Sequence, residues 1–136
     1  MTEGIQQENL LTTFGHNYLQ FLDRAGYTAK RMPDQELGSL FASGCKKIVN
    51  GKTLCETNEH LKENLWKAQT VYGKWRINQQ YELYPSTSTN CVTMKYIAET
   101  TKSKLLVIAI LKLDSEGKIT EIDEVYSTLE EEEKKQ

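Results

Sequence analysis

Residues 91–127 read CVTMKYIAETTKSKLLVIAILKLDSEGKITEIDEVYS, and their pattern of apolar, polar and turn-forming residues is typical of a β-sheet. Apolar and polar side chains alternate with a period of two in its first and last segments, as on strands with one buried face. Turn-forming residues separate the segments at 101–103 and 114–117. Between the turns, residues 105–113 are apolar on both faces except at Lys112, which predicts a central strand covered on both sides. The stretch therefore predicts three consecutive antiparallel strands.

Upstream of this stretch, the spacing of apolar residues predicts helices rather than strands. Apolar residues recur at steps of three and four, and the predicted helices cover residues 6–25, 34–43 and 57–72. Asn50-Gly51 is the strongest hairpin signal, because both residues tolerate positive φ, and it predicts a hairpin over 45–55. Alternation from Trp75 to Leu83 predicts a first strand for the meander, which then spans 74–127. Helices on one side of an antiparallel sheet make an α+β fold.

Length and composition limit the class of protein. A chain of 136 residues suits one domain, which we place at 1–128, followed by a charged flexible C-terminal tail at 129–136. The net charge is −2 and the basic residues are scattered, so no nucleic-acid surface is predicted. No run of ~18 apolar residues is present, so no membrane segment is predicted either.

The compartment and the expected cofactors follow from the termini, the cysteines and the histidines. The N-terminus lacks the basic and then apolar order of a secretory signal, and the three cysteines form no CxxC pair. We therefore expect a cytoplasmic protein with free thiols, without a metal and without a cofactor. Both histidines, His16 and His60, are expected at the surface. The Glu-rich C-terminus is similar to export signals of bacterial effectors, which leaves secretion as an alternative.

Four segments carry a resemblance to the nuclear transport factor 2-like and SnoaL-like superfamily, whose members include ketosteroid isomerase and polyketide cyclases. They are Leu40-Phe41-Ala42, Val49-Asn50-Gly51, the helix from Thr57, and residues 117–124. The resemblance covers residues 8–128. It implies a cone-shaped, curved antiparallel sheet wrapped around N-terminal helices, a ligand pocket at the open end, and dimerisation through the outer face of the sheet.

The central strand independently predicts a homodimer. Three helices can cover only one of its apolar faces, so a second subunit is expected on the other. We expect Leu106, Ile108 and Ile110 near that contact. The alternate set, Val107, Ala109 and Leu111, should face the helices.

Comparison with ketosteroid isomerase indicates which catalytic groups are missing. That chemistry needs a carboxylate base, a tyrosine and a protonated acid. By the resemblance, Tyr18 lies at the position of the helix-1 tyrosine, whereas Val49 and Ala109 occupy the positions of the base and of the second donor. Steroid-type isomerisation is therefore not expected. Tyr18 is read either as a core residue or as a pocket residue.

The last strand supplies the one candidate acid. Alternation puts Ile122, Glu124 and Tyr126 on one face, and the resemblance turns that face towards the cone. A carboxylate in an apolar cavity has a raised pKa, which would suit Glu124 to acid–base work with Tyr18 as its partner. The alternative reading places Glu124 at the solvated rim. The expected ligand-binding residues are Tyr18, Trp75, Met94, Tyr96, Ile122 and Tyr126.

Three functions remain open at this point. The first is a cone that binds a small apolar or amphipathic molecule without transforming it. The second is a lyase, isomerase or hydrolase that uses Glu124 and Tyr18 as an acid–base pair. The third is a protein-interaction domain that acts through the outer face of the sheet.

Overall fold

The computed structural model describes residues 2–129, and within this range it contains three helices and seven strands. The helices are α1 (Thr2–Tyr27), α2 (Asp34–Leu40) and α3 (Asn58–Tyr72), and the strands are β1 (Phe41–Val49), β2 (Lys52–Cys55), β3 (Trp75–Ile77), β4 (Glu82–Ser86), β5 (Cys91–Thr100), β6 (Lys104–Leu113) and β7 (Ile119–Leu129). The predicted α+β class, the three helices and the hairpin at Asn50-Gly51 are confirmed. The predicted tail lies outside the described residues, apart from Leu129, which ends β7.

The strands form one curved sheet with the order β2-β1-β7-β6-β5-β3, and β4 also pairs with β5. The predicted meander is antiparallel throughout, but β1 and β7 pair in parallel, so the sheet as a whole is mixed. The sequence did not predict this pairing, because a hairpin turn specifies only the local partner of a strand. The β1–β7 register shifts between Phe41 and Lys46, and such a bulge bends the strand that carries it.

Several element bounds differ from the prediction by a few residues, and two of the differences have identifiable causes. The single strand predicted over 75–83 is divided into β3 and β4. Asn78 interrupts it, because its side-chain Oδ1 accepts a hydrogen bond from the backbone N–H of Gln80 at 2.8 Å and turns the chain locally. The second helix ends at Leu40 rather than at 43, because Phe41 begins β1 and is buried in the core.

The two faces of β6 confirm the predicted register. Val107, Ala109 and Leu111 are buried beneath the helices. On the outer face, Leu106 is half-buried and Ile108 is 42% exposed. Ile108 lies between Lys95 of β5 and Val125 of β7, and Val125 is exposed as well. The outer face thus carries an apolar patch in the middle of the sheet.

We expect the protein to be a homodimer that buries this outer patch. Placing a charge at its centre with Ile108→Glu should convert the dimer to a monomer, because an unpaired charge in an apolar interface costs several kcal/mol. Light scattering after gel filtration measures the mass directly. Lys52→Glu, at an exposed position on β2, is the control and should remain dimeric. A monomeric mass for the unmodified protein at micromolar concentration would contradict the expectation.

None of the helices in residues 2–129 combines the length and the hydrophobicity that a membrane-spanning segment requires.

Candidate functional site

A cavity of about 270 Å³ lies between α3 and the concave face of the sheet. Its inner wall is apolar and consists of buried side chains of α1, α3, β3 and β6, among them Leu22, Leu65, Trp75, Ile77 and Val107. At its mouth, Leu54 is 49% exposed and Val71 is 59% exposed. The volume of about 270 Å³ lies just below the ~300–1,000 Å³ of typical ligand pockets, so the cavity has room only for a small molecule, and its wall suits an apolar body.

Two opposite charges interrupt the apolar wall at one place. Glu124 projects from β7 and Lys47 from β1, and their side chains are only 11% and 12% exposed. Parallel pairing brings them together, since Val49 lies beside Glu124 and Lys47 lies beside Ile122 in the register. The distance from Lys47 Nζ to Glu124 Oε1 is 3.9 Å. Lys47 Nζ also donates a hydrogen bond to Asn64 Oδ1 on α3 at 3.1 Å. We refer to Lys47 and Glu124 as the charged pair.

The turn between β1 and β2 holds β7 in register beside the charged pair. Asn50 adopts a positive φ of 49° and Gly51 one of 84°. The backbone N–H of Asn50 donates to the carbonyl of Glu124 at 2.9 Å. In return, the side-chain Oδ1 of Asn50 accepts from the backbone N–H of Tyr126 at 3.1 Å. These two hydrogen bonds determine which β7 side chains face the cavity.

A pair of tyrosines connects α3 to β7 along the cavity wall. The hydroxyls of Tyr72 and Tyr126 are 2.6 Å apart, and the rings meet edge to face with centroids 6.3 Å apart. This hydrogen bond, followed by burial, raises the pKa of Tyr72 to about 12. Tyr72 is therefore neutral near pH 7 and can only exchange hydrogen bonds with a ligand.

Two further phenols lie close enough to Glu124 to feel its charge. Burial, and then the negative charge of Glu124, raise the pKa values of Tyr18 and Tyr96 well above the usual range. Tyr96 lines the cavity, whereas Tyr18 lies outside the lining and packs edge-on against Phe41, with ring centroids 6.2 Å apart. Both phenols stay protonated near pH 7.

The structure brings together some of the predicted site residues and separates others. Trp75, Tyr96, Glu124 and Tyr126 line the cavity. Tyr18, Met94 and Ile122 are buried in the core and are not part of the lining. These three residues lie deeper in the cone, where buried side chains including Phe21, Phe41 and Leu111 leave no space. Only the half of the cone next to α3 is open.

Lys47, Asn64 and Tyr72 line the cavity but were not among the predicted site residues. A signal for Lys47 was present, since it lies between Cys45 and Val49 on a strand with a period of two. Both neighbours are apolar, as Ile122 and Tyr126 are on either side of Glu124. The same pattern therefore predicts that Lys47 faces the cone. Tyr72 continues the apolar stripe of α3 by four residues from Ala68.

The floor of the cavity depends on the position of one indole ring. Trp75 Nε1 donates to the carbonyl of Leu22 at 2.9 Å, which ties β3 to α1. The ring then lies directly against Gly26, where an added β-carbon would overlap it. Gly26 is therefore inside α1 because the ring needs the space.

The histidines and two of the buried cysteines lie outside the cavity lining. His16 and His60 are exposed, as predicted. His16 Nδ1 is 2.5 Å from the hydroxyl of Tyr81. Burial raises the pKa of the Cys45 thiol to about 12 and also raises that of Cys55. Neither thiol is ionised near pH 7, so neither acts as a nucleophile there.

No protein-family model matches the sequence, and no curated protein matches it either. Solved structures do share its fold. A candidate ketosteroid isomerase from Kribbella flavida DSM 17836 matches with a TM-score of 0.70 and 10% identity, over 91% of this chain and 82% of its own. The epoxide hydrolase/cyclase-like enzyme SalBIII, of pyran ring formation in salinomycin, matches with a TM-score of 0.65 and 13% identity, over 93% and 95%.

A third match is an NTF2-like protein of unknown function from Exiguobacterium sp. 255-15, with a TM-score of 0.61 and 15% identity, over 87% of this chain and 99% of its own. At this level of identity the matches establish the fold alone. The chain has the cone-shaped fold of SnoaL-like and NTF2-like proteins.

Proposed function

We propose that this chain, with its SnoaL-like cone fold, binds a small amphipathic molecule in the cavity between α3 and the sheet. The observation that carries the proposal is the contrast within the lining. The inner wall is apolar, and the charged pair, together with Asn64 and Tyr72 of α3, adds a few polar groups. An apolar wall with a few placed polar groups is the usual composition of a small-molecule site.

The mouth of the cavity supports the same function. Leu54 and Val71 are large apolar residues exposed to solvent, and both belong to the lining. When an apolar ligand covers exposed apolar side chains at the edge of a cavity, the complex is stabilised by roughly 25 cal/mol per Å² of apolar area removed from water. The ligand would therefore enter between α3 and β2.

Filling the cavity should abolish binding. Ala68 lines the cavity from α3 and is half-buried, so Ala68→Phe places a ring in the space of the ligand. Amide chemical shifts of labelled protein, titrated with a panel of small alcohols, phenols and carboxylic acids, identify binders and their location. We expect shifts at cavity residues such as Leu65, Ala98 and Val107, and affinities at least ~10-fold weaker in the variant, a loss of about 1.4 kcal/mol.

Thr70→Phe is the matched control, because Thr70 lies on the same helix but is exposed and outside the lining. Its affinities should equal those of the unmodified protein. If the panel causes no shifts at the cavity, or if Ala68→Phe binds as well as the unmodified protein, the proposed function is wrong.

A second candidate function is acid–base catalysis, as a lyase, isomerase or hydrolase. The observation that favours it is the position of Glu124. In the sheet, Glu124 pairs with Val49 on one side and Ala109 on the other, the two positions where the resemblance puts the base and the second donor. Glu124 would act as the base and Tyr96, which lines the cavity, as the protonated donor, because Tyr18, the partner expected from the sequence, lies outside the lining. Conversion of a bound compound, followed in the same spectra, separates catalysis from binding.

A further inference from the structure

Hydrogen bonds within the protein use only part of the capacity of the charged pair. A direct N⁺–H···O⁻ hydrogen bond measures ~2.7–2.9 Å, whereas Lys47 Nζ and Glu124 Oε1 are 3.9 Å apart. Lysine has three donors, and Asn64 Oδ1 accepts one of them. Within residues 2–129, the structure contains no other acceptor for Lys47 Nζ and no donor for the Glu124 carboxylate. Both groups face the cavity and have capacity for a ligand.

The gap has a size that suits one bridging atom. An oxygen ~2.8 Å from both charged atoms, a normal hydrogen-bond length, fits across 3.9 Å with an angle of about 90° at that oxygen. Such an oxygen must accept a hydrogen bond from Lys47 and donate one to Glu124. A hydroxyl does both. A carboxylate cannot donate and is repelled by Glu124, whereas an ammonium cannot accept and is repelled by Lys47.

Charge balance selects the same chemical class. The charged pair is neutral as a whole, and the third charged residue of the lining, Lys67, is exposed to solvent. A charged ligand at the pair would therefore leave one uncompensated charge against the apolar wall, which costs several kcal/mol. A neutral ligand avoids that cost. The hydrogen bond from Lys47 to Asn64 holds the ammonium in place from the side of α3. The donor and the acceptor are therefore positioned before a ligand arrives.

We propose that the molecule bound in this cavity is a neutral alcohol. Its hydroxyl bridges Lys47 and Glu124, and its apolar body lies against Leu65, Trp75 and Val107. This inference rests on the proposed binding function and specifies the ligand class for that site.

A series of compounds that differ only in the polar group tests the inference. Cyclohexylmethanol, cyclohexylmethylamine, cyclohexanecarboxylate and methylcyclohexane share one ring and can be titrated into labelled protein at pH 7. We expect the alcohol to bind at least ~10-fold more tightly than the other three, equivalent to about 1.4 kcal/mol. Equal or tighter binding by the amine or the carboxylate would overturn the inference while leaving the binding function intact.

Two variants should change the preference in opposite directions. Glu124→Gln leaves Lys47 without its counter-charge, so the carboxylate should bind at least ~10-fold more tightly than to the unmodified protein. Lys47→Met leaves Glu124 alone, so the amine should gain by a similar factor. Lys74→Met and Glu56→Gln, at exposed positions outside the lining, are the matched controls and should keep the preference for the alcohol.

If neither Glu124→Gln nor Lys47→Met changes the order of affinities, the inference is overturned, because the charged pair then does not contact the polar group. If no compound of this series or of the wider panel shifts the cavity amides, the proposed function fails, and this inference fails with it. The titrations on the unmodified protein decide the question even if a variant does not fold.

Discussion

Replacing Gly26 by alanine should destabilise the protein by about 3 kcal/mol, at the upper end of the usual cost of overpacking. Alanine normally stabilises a helix relative to glycine by up to ~1 kcal/mol, so the expected effect has the opposite sign to the helix propensity. The cause is the overlap of the new β-carbon with the Trp75 indole. The ring cannot easily move, because it is buried and its Nε1 is hydrogen-bonded to Leu22.

Urea unfolding followed by circular dichroism measures this free energy. Gly4→Ala is the matched control, since Gly4 lies in the same helix and an added β-carbon meets no atom within 4 Å. The control should be neutral or slightly stabilised. A Gly26→Ala protein as stable as the unmodified one would show that β3 can move away from α1. Because Trp75 lines the cavity, the variant should also bind the ligands of the panel less tightly.

Replacing Asp23 by asparagine should also destabilise the protein, because Asp23 joins α1 to β3. Its carboxylate accepts two hydrogen bonds from Arg76, each 3.0 Å long, and one from the backbone N–H of Ile77 at 2.7 Å. We expect Asp23→Asn to reduce the free energy of unfolding by about 2 kcal/mol at pH 7. Arg76 is 65% exposed, and solvent screening keeps the loss below that of a fully buried pair.

The effect of Asp23→Asn should depend on pH. Burial acts to raise the pKa of Asp23, but the hydrogen bonds from Arg76 and Ile77 outweigh it, so the pKa is lowered in the folded protein. A lowered pKa stabilises the fold above the unfolded-state pKa of ~3.9, and this stabilisation is lost as the pH falls through the folded-state value. The difference between the two proteins should therefore be complete at pH 7 and shrink below about pH 4.

Urea unfolding of both proteins across this pH range measures the difference. A difference independent of pH would show that the charge of Asp23 is not its source. Glu63→Gln is the control, because Glu63 pairs with Arg31 at the surface. Its effect should be much smaller than that of Asp23→Asn, because an exposed ion pair is screened by solvent.

The elements of this fold were predictable because their signals are local. The period of apolar residues identified the helices and the meander, and Asn50-Gly51 identified the hairpin. Two features were not predictable in this way. The parallel pairing of β1 with β7 joins distant parts of the chain, and the interruption at Asn78 depends on a side chain that bonds its own backbone.

For the site, alternation identified the face of a residue but not its depth. It placed Glu124 and Tyr126 on the concave side, where the structure has them. It equally placed Ile122 and Met94 inward, and the family resemblance placed Tyr18 there, but these three lie where the cone is filled. Lys47 was overlooked because the short strand before Asn50 was read only as one arm of a hairpin. Its position between Cys45 and Val49 contained the information.

The hydrogen bonds between Asn50 and β7 have a consequence for how the site comes into existence. Asn50 and Tyr126 are 76 positions apart in the chain, so closing this contact carries a large entropic cost that the local hairpins of the meander do not share. The two halves of the charged pair come from opposite sides of that closure, Lys47 from before it and Glu124 from after it. Neither the segment that contains β1 nor the meander alone holds both charges. The charged pair thus forms only when β1 pairs with β7, the strands of the described sheet that are farthest apart in the chain. A substitution that weakens this pairing should therefore lower the affinity for the ligand even if the substituted residue does not contact it.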